Sequence, residues 1–211
     1  MKRLTTLFWL LALTGAADAH AQQWDTAGQL ALLNRNKAEL GGYDRWYSVA
    51  AINGSVGRYW TPHLKTEFEV GTAAQGEIDG AEPAVVPALT FPFPRYREHK
   101  LRETTVGATA IYQFFENQWV HPFVGSGVEL VHERHIADAI PATSVVISSA
   151  PVRLPAVAAV DSVSYSLRPL VTGGVKFYVT PHAFIRTEVR ASLTPDFPTA
   201  LQWRAGLGFD F

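Results

Sequence analysis

His132-Glu133-Arg134-His135 and Val124-Gly125-Ser126-Gly127-Val128 are the stretches that most invite a catalytic or metal-binding reading. A helix-borne zinc site needs H-E-x-x-H, which sets its two histidines four apart on one face, and here they are three apart. Glu129 or Glu133 would have to complete any metal set. The serine lacks the G-x-S-x-G spacing of a nucleophile elbow. In an extended chain it also lies on the face opposite His121, five residues earlier. His63 and His182 fall in short turns, where shape and hydrogen bonding are sufficient reasons for them. No cofactor, metal or catalytic residue is expected.

A second set of ionisable residues is organised differently. Lys65, Glu67 and Glu69 occur at every second position, interleaved with Leu64, Thr66, Phe68 and Val70. Arg186, Glu188 and Arg190 alternate in the same way with Ile185, Thr187 and Val189. Both runs follow a Thr-Pro-His turn, in "RYWTPHLKTEFEV" (58–70) and "FYVTPHAFIRTEV" (177–189). The copies differ by a two-residue insertion, which preserves the face each residue occupies on a strand. Arg168 and Lys176 alternate with Leu167, Val171 and Phe177, Glu103 with Val106 and Ala108, and Arg204 with Trp203 and Leu207. Glu129 joins them from a noisier stretch, 119–134. These eleven residues are expected to form one interior charge network of mixed sign.

Strands must position such a set. Alternation marks them near 45–60, 64–77, 98–115, 119–134, 163–179, 183–193 and 200–211, with the faces of 45–60 unassigned and Gln75 on the charged face. Alternation alone fits a soluble ligand-binding barrel with an apolar cavity as well as a membrane barrel. Three features favour the membrane. Several strands run roughly 12–16 residues, beyond the ~5–6 usual in soluble sheets. One end has tight turns at 61–63, 116–118 and 180–182, while the other has long Pro-rich stretches at 78–98 and 135–162. Aromatic residues gather at strand ends, among them Tyr59, Trp60, Phe114, Trp119, Phe177, Tyr178, Phe209 and Phe211. A sheet in lipid must close on itself, and bacterial barrels have even strand numbers. Residues 23–35 supply the eighth strand. The expected fold is all-β, an eight-stranded antiparallel up-and-down transmembrane β-barrel; six strands behind a periplasmic segment is the alternative.

Met1-Lys2-Arg3, the apolar run Leu4–Leu13 and Ala19-His20-Ala21 form a secretory signal peptide, 1–21, with cleavage after Ala21. Residues 22–211 then form a single barrel domain, with external loops at about 36–44, 78–98, 135–162 and 194–199. With 18 Lys and Arg against 19 Asp and Glu, no nucleic-acid footprint is present. The absence of cysteine excludes disulfides and thiolate metal sites.

The signal peptide, the paired Y-x-T-P-H turns and the final "LQWRAGLGFDF" together resemble the small OmpA/OmpX-like outer-membrane β-barrel proteins. The resemblance implies the bacterial outer membrane as location and outer-membrane lipid as surroundings. It also implies that Trp203, Leu207, Phe209 and Phe211, with Leu201 and Ala205, are the C-terminal signal read by the barrel-assembly machinery. Function is not implied, because this barrel hosts adhesins, structural proteins and lipid-modifying enzymes. An eight-stranded bore holds only its own side chains. A plugged lumen with a structural or surface-interaction role is therefore expected, an extracellular ligand meeting loops 78–98 and 135–162. A narrow pore for small solutes or ions is the alternative, and a lipid acyl hydrolase or transferase a lesser one.

Overall fold

The computed structural model describes residues 23–36, 46–84, 93–115, 119–147, 150–193 and 200–211. The expected signal peptide, the expected turn at 116–118, most of the expected loop 36–44 and the expected loop 194–199 lie outside them. Eleven strands are present among the described residues: β1 (Trp24–Asn36), β2 (Trp46–Tyr59), β3 (Leu64–Ala73), β4 (Gly76–Ala84), β5 (Phe93–Gln113), β6 (Val120–Ala137), β7 (Thr143–Ile147), β8 (Ala150–Leu154), β9 (Val160–Tyr178), β10 (Ala183–Ser192) and β11 (Ala200–Asp210). Each of β1, β2, β3, β5, β6, β9, β10 and β11 pairs antiparallel with the next in that order, and β11 returns to β1. The sheet is a closed eight-stranded barrel. Among the described residues, closure pairs every strand of the eight-membered ring on both sides.

Strand parity sorts the side chains. Phe68, Val70, Val106 and Leu130 project outward, while their strand neighbours of opposite parity are buried, and Leu167 and Leu207 are exposed on the same outer face. This is the inverse of a soluble barrel, and it makes a lipid-facing band. On β2 the unassigned faces resolve without a bulge: Ala51, Asn53 and Ser55 point in, Ile52 and Val56 out.

The stretch expected as one strand, 64–77, is broken. Thr72 lies opposite Thr104 but Gly76 lies opposite Leu101, so β3 and β4 together carry one residue more than β5 between those pairs. That bulge at Ala74-Gln75 leaves Gln75 exposed instead of on the interior face and reverses the parity of β4. Beyond it, β4 pairs with β5 from Gly76↔Leu101 to Ala84↔Phe93, so much of the stretch read as loop 78–98 is a continuing hairpin. Likewise 135–162 holds the ends of β6 and β9, the β7–β8 hairpin and an Ile140↔Val157 bridge. Proline and glycine in these stretches disguised strands, because Pro83 and Pro94 pair within the β4–β5 ladder. One side of the barrel therefore rises as a four-stranded wall, β4-β5-β6-β9, well above β10 and β11.

The two Thr-Pro-His turns are built alike. Trp60 N–H donates to Leu64 O at 2.9 Å, and Val179 N–H to Ala183 O at 2.9 Å. The threonine Oγ1 accepts from Leu64 N–H at 3.0 Å and from Ala183 N–H at 2.9 Å. His63 Nδ1 donates to Gln113 O at 2.9 Å and His182 Nδ1 to Asp210 O at 3.2 Å, each ring stacking on Tyr112 or Phe209 at 5.6 Å. Two strands separate the hairpins on either side of the ring, so they stand on opposite walls.

Candidate functional site: the barrel lumen

The inward side chains of β3, β10, β11, β9 and β1 meet across the bore. Glu69 receives Arg190 in a two-pronged pair, Nη1 at 2.9 Å and Nη2 at 3.0 Å, and Arg204 Nη1 at 2.5 Å. Arg204 also reaches Glu188 at 3.2 Å, and Glu188 takes Arg186 Nη2 at 2.5 Å. From Arg186 the chain passes to Glu67 at 2.6 Å, then to Lys65 at 2.6 Å. Lys65 Nζ meets Asp25 at 2.5 Å, and Lys176 binds the same carboxylate. Lys176 also donates to Tyr59 Oη at 2.7 Å and lies 3.7 Å from Asp210, which accepts from Tyr178.

Five cations (Lys65, Lys176, Arg186, Arg190, Arg204) thus face five carboxylates (Asp25, Glu67, Glu69, Glu188, Asp210). Each is almost wholly buried. Buried charges persist only when paired and hydrogen-bonded, and the one-to-one balance meets that condition.

The two-residue insertion explains how the pairs form. By turn hydrogen bonding Leu64 matches Ala183, so Lys65 stands at the height of Phe184, Glu67 at that of Arg186 and Glu69 at that of Glu188. Without the insertion Lys65 would face Arg186, like against like. With it, Arg186 reaches Glu67 on the opposite wall.

A second cluster lies toward the other mouth. Arg35 binds Glu103 and contacts Glu133 at 2.9 Å, and Arg168 approaches Glu103 at 3.4 Å. Glu129 accepts from Ser192 Oγ at 2.5 Å. Between the clusters Asn53, Thr105 and Gln202 line a small cavity with Leu33 and Ala51. Both polar atoms of the neighbouring Gln29 and the Asn53 Nδ2 have no protein partner, a site suited to ordered water.

Of the eleven network residues read from sequence, Lys65, Glu67, Glu69, Lys176, Arg186, Glu188, Arg190 and Arg204 join one network, Glu103 and Arg168 the other, and Glu129 lies beside Ser192. Sequence reasoning missed Asp25, Arg35, Glu133 and Asp210. The first two share odd positions with Gln29 on β1, and Asp210 shares the parity of Arg204, which was the available signal. Trp203, Leu207, Phe209 and Phe211 all face outward from β11 or just beyond it.

His121, His132 and His135 do not converge on one another. His121 lies 5.0 Å from the Tyr178 ring, while Ser126 projects from the lipid side. His132 meets Tyr165 on the outer face, and His135 Nε2 lies 2.8 Å from His99 Nδ1 on the inner face. No group of three or more His, Asp or Glu among the described residues could hold a metal. Above this mouth Arg95 donates to Pro155 O and to Pro141 O at 2.7 Å, and Arg97 to Ala158 O at 2.8 Å, strapping the 138–158 excursion to the wall.

No family profile and no curated protein matches the sequence. Solved structures do. Neisserial surface protein A is 16% identical, covering 89% of this chain and 97% of that one, with a TM-score of 0.55. Ail, the attachment invasion locus protein of Yersinia pestis, is 12% identical over 90% of this chain and 99% of that one, with a TM-score of 0.52. OprG of Pseudomonas aeruginosa is 12% identical over 90% and 96%, with a TM-score of 0.50. This chain has the fold of the small eight-stranded outer-membrane β-barrels, the fold implied by its OmpA/OmpX-like resemblance.

Proposed function

We propose that the chain is an integral protein of the bacterial outer membrane whose ion-paired lumen is closed to solutes, and that it serves a structural or surface-interaction role. The unbroken sequence of buried pairs from Glu69 to Lys176 carries this reading, because it crosses the bore from wall to wall with every charge in it buried. The tall β4-β5-β6-β9 wall and the strapped β7–β8 arm support a surface role, since they offer a ligand more area than short loops would. Ail, described by name as an attachment protein, shares the fold. Export by residues 1–21, recognition of Phe211 and its outward neighbours by the assembly machinery, and ligand contact through 78–98 and 135–162 belong to the same proposal.

Planar-bilayer recording tests the closed lumen. Native protein is expected to give no steady ohmic steps. Steps that vanish in Arg186→Gln or Glu188→Gln variants would establish the narrow pore instead. That second reading draws on the cavity between the two charge clusters and the partnerless Gln29 beside it. Deleting residues 141–160 is expected to leave the barrel folded while lowering cell-surface binding. An unchanged binding phenotype would remove the arm from the surface role.

A further inference from the structure

On the outer face of β5 the outward positions run Ala110, Ala108, Val106, Thr104 and then Arg102; on β6 they run Val128, Leu130, His132 and then Arg134. Arg102 and Arg134 are direct cross-strand partners. Opposed side chains on one face have Cβ atoms about 4.5–5.5 Å apart, and like charges placed so are destabilising. Two of the nearby carboxylates are already engaged. Asp161 holds Arg134 through two hydrogen bonds, at 3.0 and 2.9 Å, and Glu98 holds Lys100 at 3.0 Å. Arg102 is exposed and has no ion-pair partner among the described residues. Arg102 thus stands as an unpaired guanidinium beside the Asp161-bound Arg134, where the apolar band ends.

The height is informative. Arg102 sits two residues above Thr104, about 7 Å along the strand. Headgroups occupy a layer of about that thickness on each side of the hydrocarbon. Guanidinium forks match phosphate oxygens in two-pronged fashion. Directly below, Thr104 brings a hydroxyl and His132 an imidazole, while Val106 and Leu130 continue the exposed apolar surface downward. The site is amphiphilic: anion-binding at the top, greasy beneath. We propose that Arg102, with the remaining Nη1 of Arg134 beside it, holds the phosphate of an outer-leaflet lipid whose acyl chains lie over Val106 and Leu130. This inference rests on the membrane reading above.

The test uses the full chain folded into phosphatidylcholine nanodiscs doped with lipid A, with retained lipid A read by native mass spectrometry. Arg102→Gln is expected to lower retention about fivefold, roughly one cation's share of headgroup attraction. Arg58→Gln, a cation at the turn end packed on Trp24 and Trp60, is expected to leave it unchanged. Arg134→Gln provides a second variant in case either arginine changes folding. Equal retention by Arg102→Gln and native protein overturns the site. Displacement of lipid A by millimolar inorganic phosphate also overturns it, because the site would then take a free anion. If the native chain inserts into no nanodisc composition, the membrane reading itself fails, an outcome distinct from the other two.

Discussion

Arg186 is a side chain on which the lumen network turns, since it joins Glu188 on its own strand to Glu67 on the opposite wall. Removing one partner of a buried pair leaves the other charged and dry. Arg186→Ala is expected to destabilise the barrel by about 3–5 kcal/mol, measured by urea unfolding in lipid vesicles. A loss below about 1 kcal/mol would mean that water already reaches these carboxylates. Above the membrane band the electrostatics are milder. Hydrogen bonds from Arg134 hold the Asp161 carboxyl below its ordinary value. A lowered folded-state value means that the pair's contribution is present above the usual carboxylate range, about pH 4, and fades as pH falls through the lowered value. A spin label at Val163 should therefore gain mobility on acidification in the native protein. In Asp161→Asn it should be mobile already, with no such pH step.

Hairpin turns set the heights at which these residues meet. In each Thr-Pro-His turn the threonine Oγ1 accepts the backbone N–H three residues on, a donor otherwise left to water. Thr180→Ala should cost about 1 kcal/mol in vesicle unfolding, and Thr61→Ala about the same. A cost confined to one of them would show that the two turns are not equivalent. Elements were legible from sequence where large apolar and charged residues alternate, as on β9, β10 and β11. On β2 the contrast fails, because Ala50 and Ala51, then Gly54 and Ser55, are small on both faces. On β4 a bulge reverses the parity just where Gly80 and Pro83 suggest a loop. At the site, facing direction was readable but partnership was not. Arg186 and Glu67 are 119 residues apart, and which meets which depends on strand order and stagger around the ring. Asp25 and Arg35 escaped because, Gln29 apart, the rest of the inward side of β1 is small or apolar, with Ala27, Ala31 and Leu33 there.

At the scale of the whole molecule, one arrangement accounts for both the greasy outside and the ionic inside: a cylinder of strands standing in lipid. The tryptophans can report it, because they sit at different heights along the outer wall. Trp24, Trp60 and Trp119 cluster at the turn end, exposed by 38%, 56% and 59%, where amphipathic rings favour the headgroup level. Trp203 lies inside the band, 55% exposed, opposite Leu32 on one neighbour and Val189 on the other. Proteins retaining one tryptophan each, in vesicles of lipids brominated at known depths, should divide accordingly. Trp203 should be quenched most strongly by bromines deep on the acyl chain, and Trp60 and Trp119 by bromines near the glycerol. Quenching of all by one depth alone, or of none, would require the apolar surface to face something other than a bilayer, because a tilted cylinder cannot bring the turn end and the mid-band to one level.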